Sequence, residues 1–224
     1  MIVRPRLLAA ALAVPLLLGA CSGSAATSAP SSAPSGPAAG ACPTSQPPAL
    51  PAGETRTVTL TTSKGDIAIK IKADLSPIAA GNFVALVECG WYTNVVFHRL
   101  VPAFVIQGGD GQYGRYPNVD AQNVGTGGPP YTIQDEPVTA KYHRGTVAMA
   151  RTSQPNSVGS QFFIVLDDGA AAALGQANTY QIIGEVTSGM DAVDAIAAMP
   201  NGGPAQGNPA IDPVPMTKVT VATP

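Results

Sequence analysis

The chain has 224 residues, of which 45% are hydrophobic and 12% are charged, enough to bury the core of one globular domain and to leave an additional segment. This composition excludes a chain that is disordered throughout. The formal net charge of −2 and the lack of a Lys/Arg run give no footprint for nucleic acid, which we do not expect as a partner.

The N-terminus predicts export. Arg4 and Arg6 precede the apolar run LLAAALAVPLLLGA, which is short for a membrane span and is interrupted by Pro15. Residues 1–20 are therefore predicted to be a cleaved signal peptide. The run ends in LGAC, which resembles the bacterial lipobox, whose cysteine is lipidated. We expect Cys21 to hold the exported protein on the outer face of the bacterial membrane by its acyl chains; the alternative is an ordinary cleaved signal peptide.

Residues 21–52 consist almost wholly of Ser, Ala, Gly, Pro and Thr. Such a segment cannot bury enough apolar area to offset its ordering entropy, so we predict a disordered, partly extended tether. It contains Cys42, and Cys89 lies in the domain that follows. Oxidising conditions outside the cytoplasm permit a disulfide between them, and the alternative is a free, buried Cys89. The sequence leaves both possibilities open.

Residues 53–224 are predicted to form one domain with many strands. RTVTLTTSKGDIAIKIKA alternates on both sides of a turn and predicts a hairpin. One helix is predicted to begin at Pro77 and to stop at Gly90, and a second short helix follows Gly189. Further strands are predicted in VVFHRLV, FVIQGG, GTVAMAR, SQFFIVL, YQIIGEV and TKVTVAT. Short strands with two helices favour a closed antiparallel barrel over a doubly wound sheet.

Several kinds of catalytic or ligand site do not fit the residue spacing. GTGG at residues 125–128 runs into two prolines, so it is no dinucleotide fingerprint. Ser160 has no glycine two positions later, and His98 and His143 have no partner signature, which argues against a hydrolase. Metal-ligand spacing is lacking too, so we expect structural histidines and neither a metal nor a cofactor.

The segment FHRLVPAFVIQGGDG is apolar enough for a buried strand, yet it contains Arg99 and Gln107. Their side chains lie either on a solvated face or in a pocket, because strand residues alternate sides. The same alternation places Phe162 and Phe163 on opposite faces, so one belongs to the core and the other to a pocket. The pattern does not say which.

Three segments resemble, in order and spacing, the core segments of the cyclophilin family of peptidyl-prolyl cis-trans isomerases. They are FHRLVPAFVIQGGD, GTVAMARTSQPNSVGSQFFIVL and YQIIGEVTSGMDAVDAI. The resemblance implies a closed eight-stranded antiparallel barrel capped by two α-helices, with the site on an outer face. It also implies a monomer that isomerises X-Pro bonds in proline-containing peptides and unfolded exported proteins. The alternative is a non-catalytic barrel that binds proline segments as a chaperone or scaffold.

The resemblance also implies roles for individual residues, and it chooses Phe163 over Phe162 for the pocket. Arg151 stands where the family usually has asparagine, Tyr180 where many members have histidine, and Val105 where methionine is common. Catalytic roles are implied for Arg99, Gln107 and Phe104, and substrate-binding roles for Val105, Ala150, Arg151, Thr152, Gln161, Phe163, Leu174 and Tyr180.

Overall fold

The structure is a computed structural model, and it describes residues 40–222. The predicted signal peptide, Cys21 and the first part of the predicted tether lie outside these residues. The strands are β1 (Thr55–Thr62), β2 (Gly65–Lys72), β3 (Val95–Val101), β4 (Val105–Gly108), β5 (Thr146–Met149), β6 (Phe162–Val165), β7 (Ile182–Ser188), β8 (Pro215–Met216) and β9 (Lys218–Ala222). The helices are α1 (Pro77–Glu88), α2 (Asp168–Ala177) and α3 (Met190–Ala197), with a short 3₁₀ helix at Pro204–Gln206.

The strands form a nearly closed antiparallel barrel in the order β8-β3-β4-β6-β5-β7-β2-β1-β9. The two strands at the ends of this order, β8 and β9, are consecutive in the chain, and only Thr217 separates them. The Thr217 N–H donates to the carbonyl of Thr61 at 2.8 Å, and the Asn94 N–H donates to the carbonyl of Met216 at 2.8 Å. The predicted barrel is confirmed with nine strands instead of eight, since the short β8 was not predicted.

The β1–β2 hairpin follows from its alternating sequence. Val58 and Leu60 on β1 and Ile67 and Ile69 on β2 are fully buried, and the side chains between them are more exposed. The strands pair from Thr55 opposite Lys72 to Thr62 opposite Gly65. One face of the hairpin therefore belongs to the barrel core and the other faces outward.

The helices α1 and α3 match the two predicted helices. The described residues contain a third α-helix, so the predicted number of two is wrong. The helix α2 was not predicted, although its sequence DGAAAALGQA is rich in alanine, the strongest helix former. The Asp167 carboxylate caps it by accepting hydrogen bonds from Gly169 N and Ala170 N. It ends at Asn178, whose φ of 47° lies in the left-handed region. No helix between residues 40 and 222 has the length and apolarity to span a bilayer.

The barrel core contains a cluster of aromatic rings from α1 and the strands around it. Phe83 on α1 packs against Tyr92 and Phe162, with ring centroids 5.1 and 5.3 Å apart. Phe97 on β3 contacts the same Phe162 ring at 6.0 Å. The buried Tyr92 hydroxyl donates to the carbonyl of Ser160 at 2.8 Å, so its polar atom is satisfied. This cluster fixes α1 across the barrel.

Residues 42–50, which we call the strap, lie against the domain, although their composition assigned them to the tether. Cys42 and Cys89 form a disulfide, which resolves the open question of their pairing. The Leu50 N–H donates to the carbonyl of Pro77 at 2.9 Å, and Leu50 is buried. A side chain at Gly81 would place its Cβ 2.3 Å from the Pro48 carbonyl oxygen. Only glycine on α1 allows the strap to lie this close.

The disulfide generates a prediction about stability. Cys42→Ser should lower the free energy of unfolding by about 2–4 kcal/mol, because the bridge joins residues 47 positions apart and restricts the unfolded chain. Urea unfolding of oxidised wild-type protein, reduced wild-type protein and the variant measures the effect. The variant should unfold at the same midpoint as the reduced protein. A midpoint equal to that of the oxidised protein would contradict the prediction.

Candidate active site

The strand β6 contributes one phenylalanine to each side of the barrel wall. Phe162 lies in the core, whereas Phe163 belongs to a second apolar cluster on the outer face. The edge of the Phe163 ring meets Tyr180, with centroids 5.3 Å apart at an interplanar angle of 87°. The outer cluster also contains Val105, Ala148, Val165, Ala170, Ala171, Leu174 and Ile182, with Phe104, Ala150 and Tyr180 partly buried against it. This cluster is the apolar wall of the candidate site.

Strand pairing brings the polar candidates to the same face. Arg99 on β3 lies opposite Gln107 on β4, and Gln107 lies opposite Phe163 on β6. Phe163 in turn lies opposite Ala148 on β5. Residues directly opposite each other in antiparallel strands project to the same face of a sheet. The four side chains therefore form a row across the outer surface, with the guanidinium at one end and the apolar cluster at the other.

Hydrogen bonds fix the guanidinium of Arg99. Its Nη1 donates to Gln107 Oε1 at 3.2 Å, and its Nε donates to the carbonyl of Gly207 at 3.2 Å. Gln107 Nε2 donates to Gln161 Oε1 at 3.0 Å. Because a guanidinium has five N–H groups, these two bonds orient Arg99 and leave donors for a further partner.

A groove of about 510 Å³ adjoins the row, and glycines and residues with polar side chains make up most of its lining. Its lining includes the predicted residues Gln107, Ala150, Arg151, Thr152 and Gln161. The structure thus divides the predicted residues between two neighbouring areas joined by Gln107 and Ala150. Phe104, Val105, Phe163, Leu174 and Tyr180 belong to the apolar cluster, and their individual roles stay predictions.

Arg151 is held by its own loop. Its Nε donates to the carbonyl of Thr152 at 3.1 Å, and its Nη2 donates to the carbonyl of Gln154 at 2.8 Å. Its Nη1 lies 3.2 Å from Asp135 Oδ2, and the side chain is 14% exposed. The groove therefore has a fixed cation in its wall, partly balanced by a carboxylate.

Sequence reasoning missed several residues of this region. Tyr142 joins the outer cluster, and its hydroxyl donates to the carbonyl of Tyr180 at 2.8 Å while accepting from the Tyr180 N–H at 3.1 Å. Nothing in the pattern around Tyr142 indicates this contact. The run GTGG offered a signal, because Gly125 and Gly127 both line the groove. Asp110, which holds the loop that contains this run, is not among the predicted site residues.

His98 lies under this loop as a buried ring, 6% exposed. Burial lowers its pKa to about 4; the Asp110 carboxylate opposes this shift and the Arg99 charge adds to it. A side chain at Gly125 would place its Cβ 3.4 Å from the His98 ring. The imidazole is therefore neutral near pH 7. Among residues 40–222, no three His, Cys, Asp or Glu side chains come together as a metal site.

An antiparallel barrel with an apolar cluster and an oriented arginine on its outer face defines the class of the chain, and comparison with known proteins agrees. Residues 57–221 match the family model described as cyclophilin type peptidyl-prolyl cis-trans isomerase/CLD. A probable peptidyl-prolyl cis-trans isomerase of Brucella abortus (strain 2308) is 45% identical over 142 residues, which is 62% of this chain and 70% of the relative. Peptidyl-prolyl cis-trans isomerase A of Dickeya dadantii is 36% identical over 165 residues, 72% of this chain and 83% of the relative.

Crystal structures give the same result. A cyclophilin type peptidyl-prolyl cis-trans isomerase of Cryptosporidium parvum superposes with a TM-score of 0.63 at 27% identity, covering 76% of this chain and 99% of that one. A second structure of the Cryptosporidium protein was determined in the presence of the dipeptide Ala-Pro. The chain belongs to the cyclophilin family and is a peptidyl-prolyl cis-trans isomerase.

The buried His98 predicts a pH dependence of stability. Its pKa is about 4 in the folded state and near 6.5 when unfolded, so the unfolded chain binds more protons between these values. The stability that His98 contributes is complete above about pH 6.5 and is lost as the pH falls toward 4, by up to roughly 3 kcal/mol. Urea unfolding at pH 7 and pH 5 should show a smaller loss for His98→Gln than for wild type. Equal losses would contradict the prediction.

Proposed function

We propose that Arg99 catalyses the isomerisation by stabilising the twisted prolyl amide. Amide resonance opposes rotation about an X-Pro bond with a barrier of roughly 18–20 kcal/mol. In the twisted state the prolyl nitrogen becomes pyramidal and regains a lone pair that accepts a hydrogen bond. The guanidinium remains charged at any relevant pH and can donate to that nitrogen or to the proline carbonyl. The row from Arg99 to Phe163 is the observation that carries this proposal.

The proline ring would lie against the apolar cluster, on Phe104, Phe163 and Leu174. Phe163 is only 4% exposed and its ring is held from the side by Tyr180, so the ring is fixed in place before a peptide binds. The Ala-Pro dipeptide present with the Cryptosporidium relative supports a proline-containing ligand. A ring held on this surface would keep the amide within reach of Arg99.

Magnitudes are consistent with this division of roles. Uncatalysed isomerisation takes tens to hundreds of seconds, and an acceleration of about four decades requires roughly 5.5 kcal/mol. One preorganised donor removed from water supplies on the order of 3–4 kcal/mol. Holding the proline ring against the cluster would supply the remainder by orientation.

The groove beside the row would accept the residues that precede proline. Its backbone and amide groups suit an extended peptide segment, and Gln107 and Ala150 border both areas. Where the family usually has asparagine, Arg151 provides a cation, so the preference for these residues should differ from that of relatives with asparagine. Asp135 partly balances the charge, so peptides with neutral side chains should still bind.

The first test of this mechanism is Arg99→Ala. The substitution should lower kcat/KM for an X-Pro peptide by about two decades or more, because it removes a transition-state donor from a half-buried position. A protease-coupled isomerisation assay measures the rate, and circular dichroism checks the fold. The control is Arg56→Ala on β1, which should retain wild-type activity. A folded Arg99→Ala protein with unchanged activity would refute the mechanism, and an inactive wild type would favour a non-catalytic binder.

We further propose that the enzyme acts on exported proteins while anchored by a lipid on Cys21. The proposal rests on the charged start, the apolar run and the LGAC motif of the N-terminus. The disulfide between Cys42 and Cys89 supports it, because disulfides persist in oxidising compartments outside the cytoplasm. Unfolded exported chains that contain X-Pro bonds are the substrates expected there.

The anchor predicts a change of cellular fraction. Cys21→Ser should move the protein from the membrane fraction to the soluble fraction, or leave it as an unprocessed precursor, because the lipid can no longer be attached. Immunoblots of the two fractions measure this. Cys42→Ser is the matched control and should stay with the membrane. Mass spectrometry of the native protein that finds an unmodified N-terminus downstream of Cys21 would contradict the proposal.

A further inference from the structure

Asp110 is a buried carboxylate that ties together the two ends of a loop. Its Oδ1 accepts hydrogen bonds from the backbone N–H groups of Gln112 and Tyr113, at 3.0 and 2.9 Å. Its Oδ2 accepts from the N–H groups of Gly125 and Gly127, at 2.8 and 2.9 Å. The side chain is fully buried. Four backbone donors around one buried carboxylate compensate its lost hydration and hold the loop rigidly.

The same two glycines connect Asp110 to the catalytic row. Their carbonyl groups both accept hydrogen bonds from Gln161 Nε2, each at 2.9 Å. Because the loop uses the amide nitrogen of Gln161, its Oε1 is left to accept from Gln107 Nε2 at 3.0 Å. Gln107 Oε1 is in turn left to accept from Arg99 Nη1 at 3.2 Å. Each link therefore decides how the next amide group is oriented.

All donors in this relay point in one direction. The Arg99 cation donates to Gln107, which donates to Gln161. Gln161 donates to the carbonyls of Gly125 and Gly127, and the N–H groups of the same two residues donate to the Asp110 carboxylate. The hydrogen bonds from Arg99 to Gln161 polarise one another. The carbonyl and the N–H of each glycine belong to adjacent peptide groups, so Asp110 acts on Gln161 by fixing the position of the loop carbonyls. If the Gln107 amide were reversed, its nitrogen would face the Arg99 donor and its oxygen would face Gln161 Oε1.

The loop can reach the carboxylate only because it is built from glycine. A side chain at Gly127 would place its Cβ 2.5 Å from Asp110 Oδ1. At Gly125 the backbone φ is +95°, a conformation that residues with a side chain rarely adopt. The contact with Asp110 thus requires glycine at positions 125 and 127 of the GTGG run.

We propose that Asp110 is a positioning residue for the isomerase reaction, which fixes the orientation of the Arg99 guanidinium through the loop, Gln161 and Gln107. It does not contact the substrate. The inference rests on the proposed role of Arg99. Loss of the carboxylate lowers the fraction of the enzyme in which the guanidinium faces the prolyl amide, so it affects kcat more than KM.

The test uses Asp110→Asn in the full chain. Asparagine has the same shape, but its amide nitrogen cannot accept a hydrogen bond, so two of the four backbone donors lose their partner. We expect kcat/KM for an X-Pro peptide to fall by about tenfold or more, mainly through kcat. The matched control is Glu136→Gln, because that carboxylate accepts from Ile78 N and Ala79 N at 2.8 and 2.9 Å at the start of α1. It should lower the unfolding midpoint without a tenfold loss of activity.

A double-mutant cycle separates positioning from a general loss of structure. In an Arg99→Ala background, Asp110→Asn should cost less than about twofold, because the group that it orients is already absent. A purely structural role lowers activity by the same factor in both backgrounds and overturns the inference, as does unchanged activity of Asp110→Asn. If Arg99→Ala itself retains wild-type activity, the proposed mechanism fails together with the inference.

Gly127→Ala provides a second variant if Asp110→Asn does not fold. It keeps every donor and acceptor of the relay, but the added Cβ pushes residue 127 away from the Asp110 carboxylate. The same tenfold loss, absent in the Arg99→Ala background, supports the inference. A folded Gly127→Ala protein with wild-type kcat, or with an equal loss in both backgrounds, overturns it.

Discussion

Alternation of side chains along the barrel strands is the constraint on which both the core and the site depend. On β6, Phe162 packs on Phe83 and Tyr92 inside the barrel, while Phe163 faces outward against Tyr180. A shift of one residue would exchange the two rings and place Gln161 in the position of an inward side chain. The aromatic core therefore specifies the register of β6, and through strand pairing it specifies where Arg99 and Gln107 meet the apolar cluster.

The site combines two environments that are difficult to hold side by side. The cluster around Phe163 excludes water, which strengthens any hydrogen bond made to a ligand at its edge. The guanidinium of Arg99 needs partners of its own, and Gln107 and the carbonyl of Gly207 supply them without neutralising its charge. Neutral partners leave the positive charge of Arg99 unbalanced, whereas a carboxylate in the same place would neutralise it. Arg151, which is paired with Asp135, shows the second arrangement in the neighbouring groove.

The sequence predicted what depends on periodicity and missed what depends on loops. Alternation predicted the hairpin, the strands and the opposite faces of Phe162 and Phe163, and the family resemblance then selected the outward ring. The helix α2 was missed because short alanine-rich runs between glycines also occur in loops, and its start depends on the Asp167 cap. The strap was assigned to the tether because its packing on α1 depends on Gly81 and Cys89, which are distant in sequence. No local pattern links Asp110 to Gly125, so the hydrogen-bonded relay could not be predicted.

Closure of the barrel by β8 and β9 has a consequence for the order in which the protein folds. β1 and β3 pair with strands that lie more than 100 residues further along the chain, since Thr57 pairs with Ala222 and Val95 pairs with Met216. Pairing over such sequence distances gives a high contact order, which slows folding. Until residues 215–222 have paired, β1 and β3 each present an open edge that can recruit another chain. The barrel is therefore open to pairing with other chains until β8 and β9 close it.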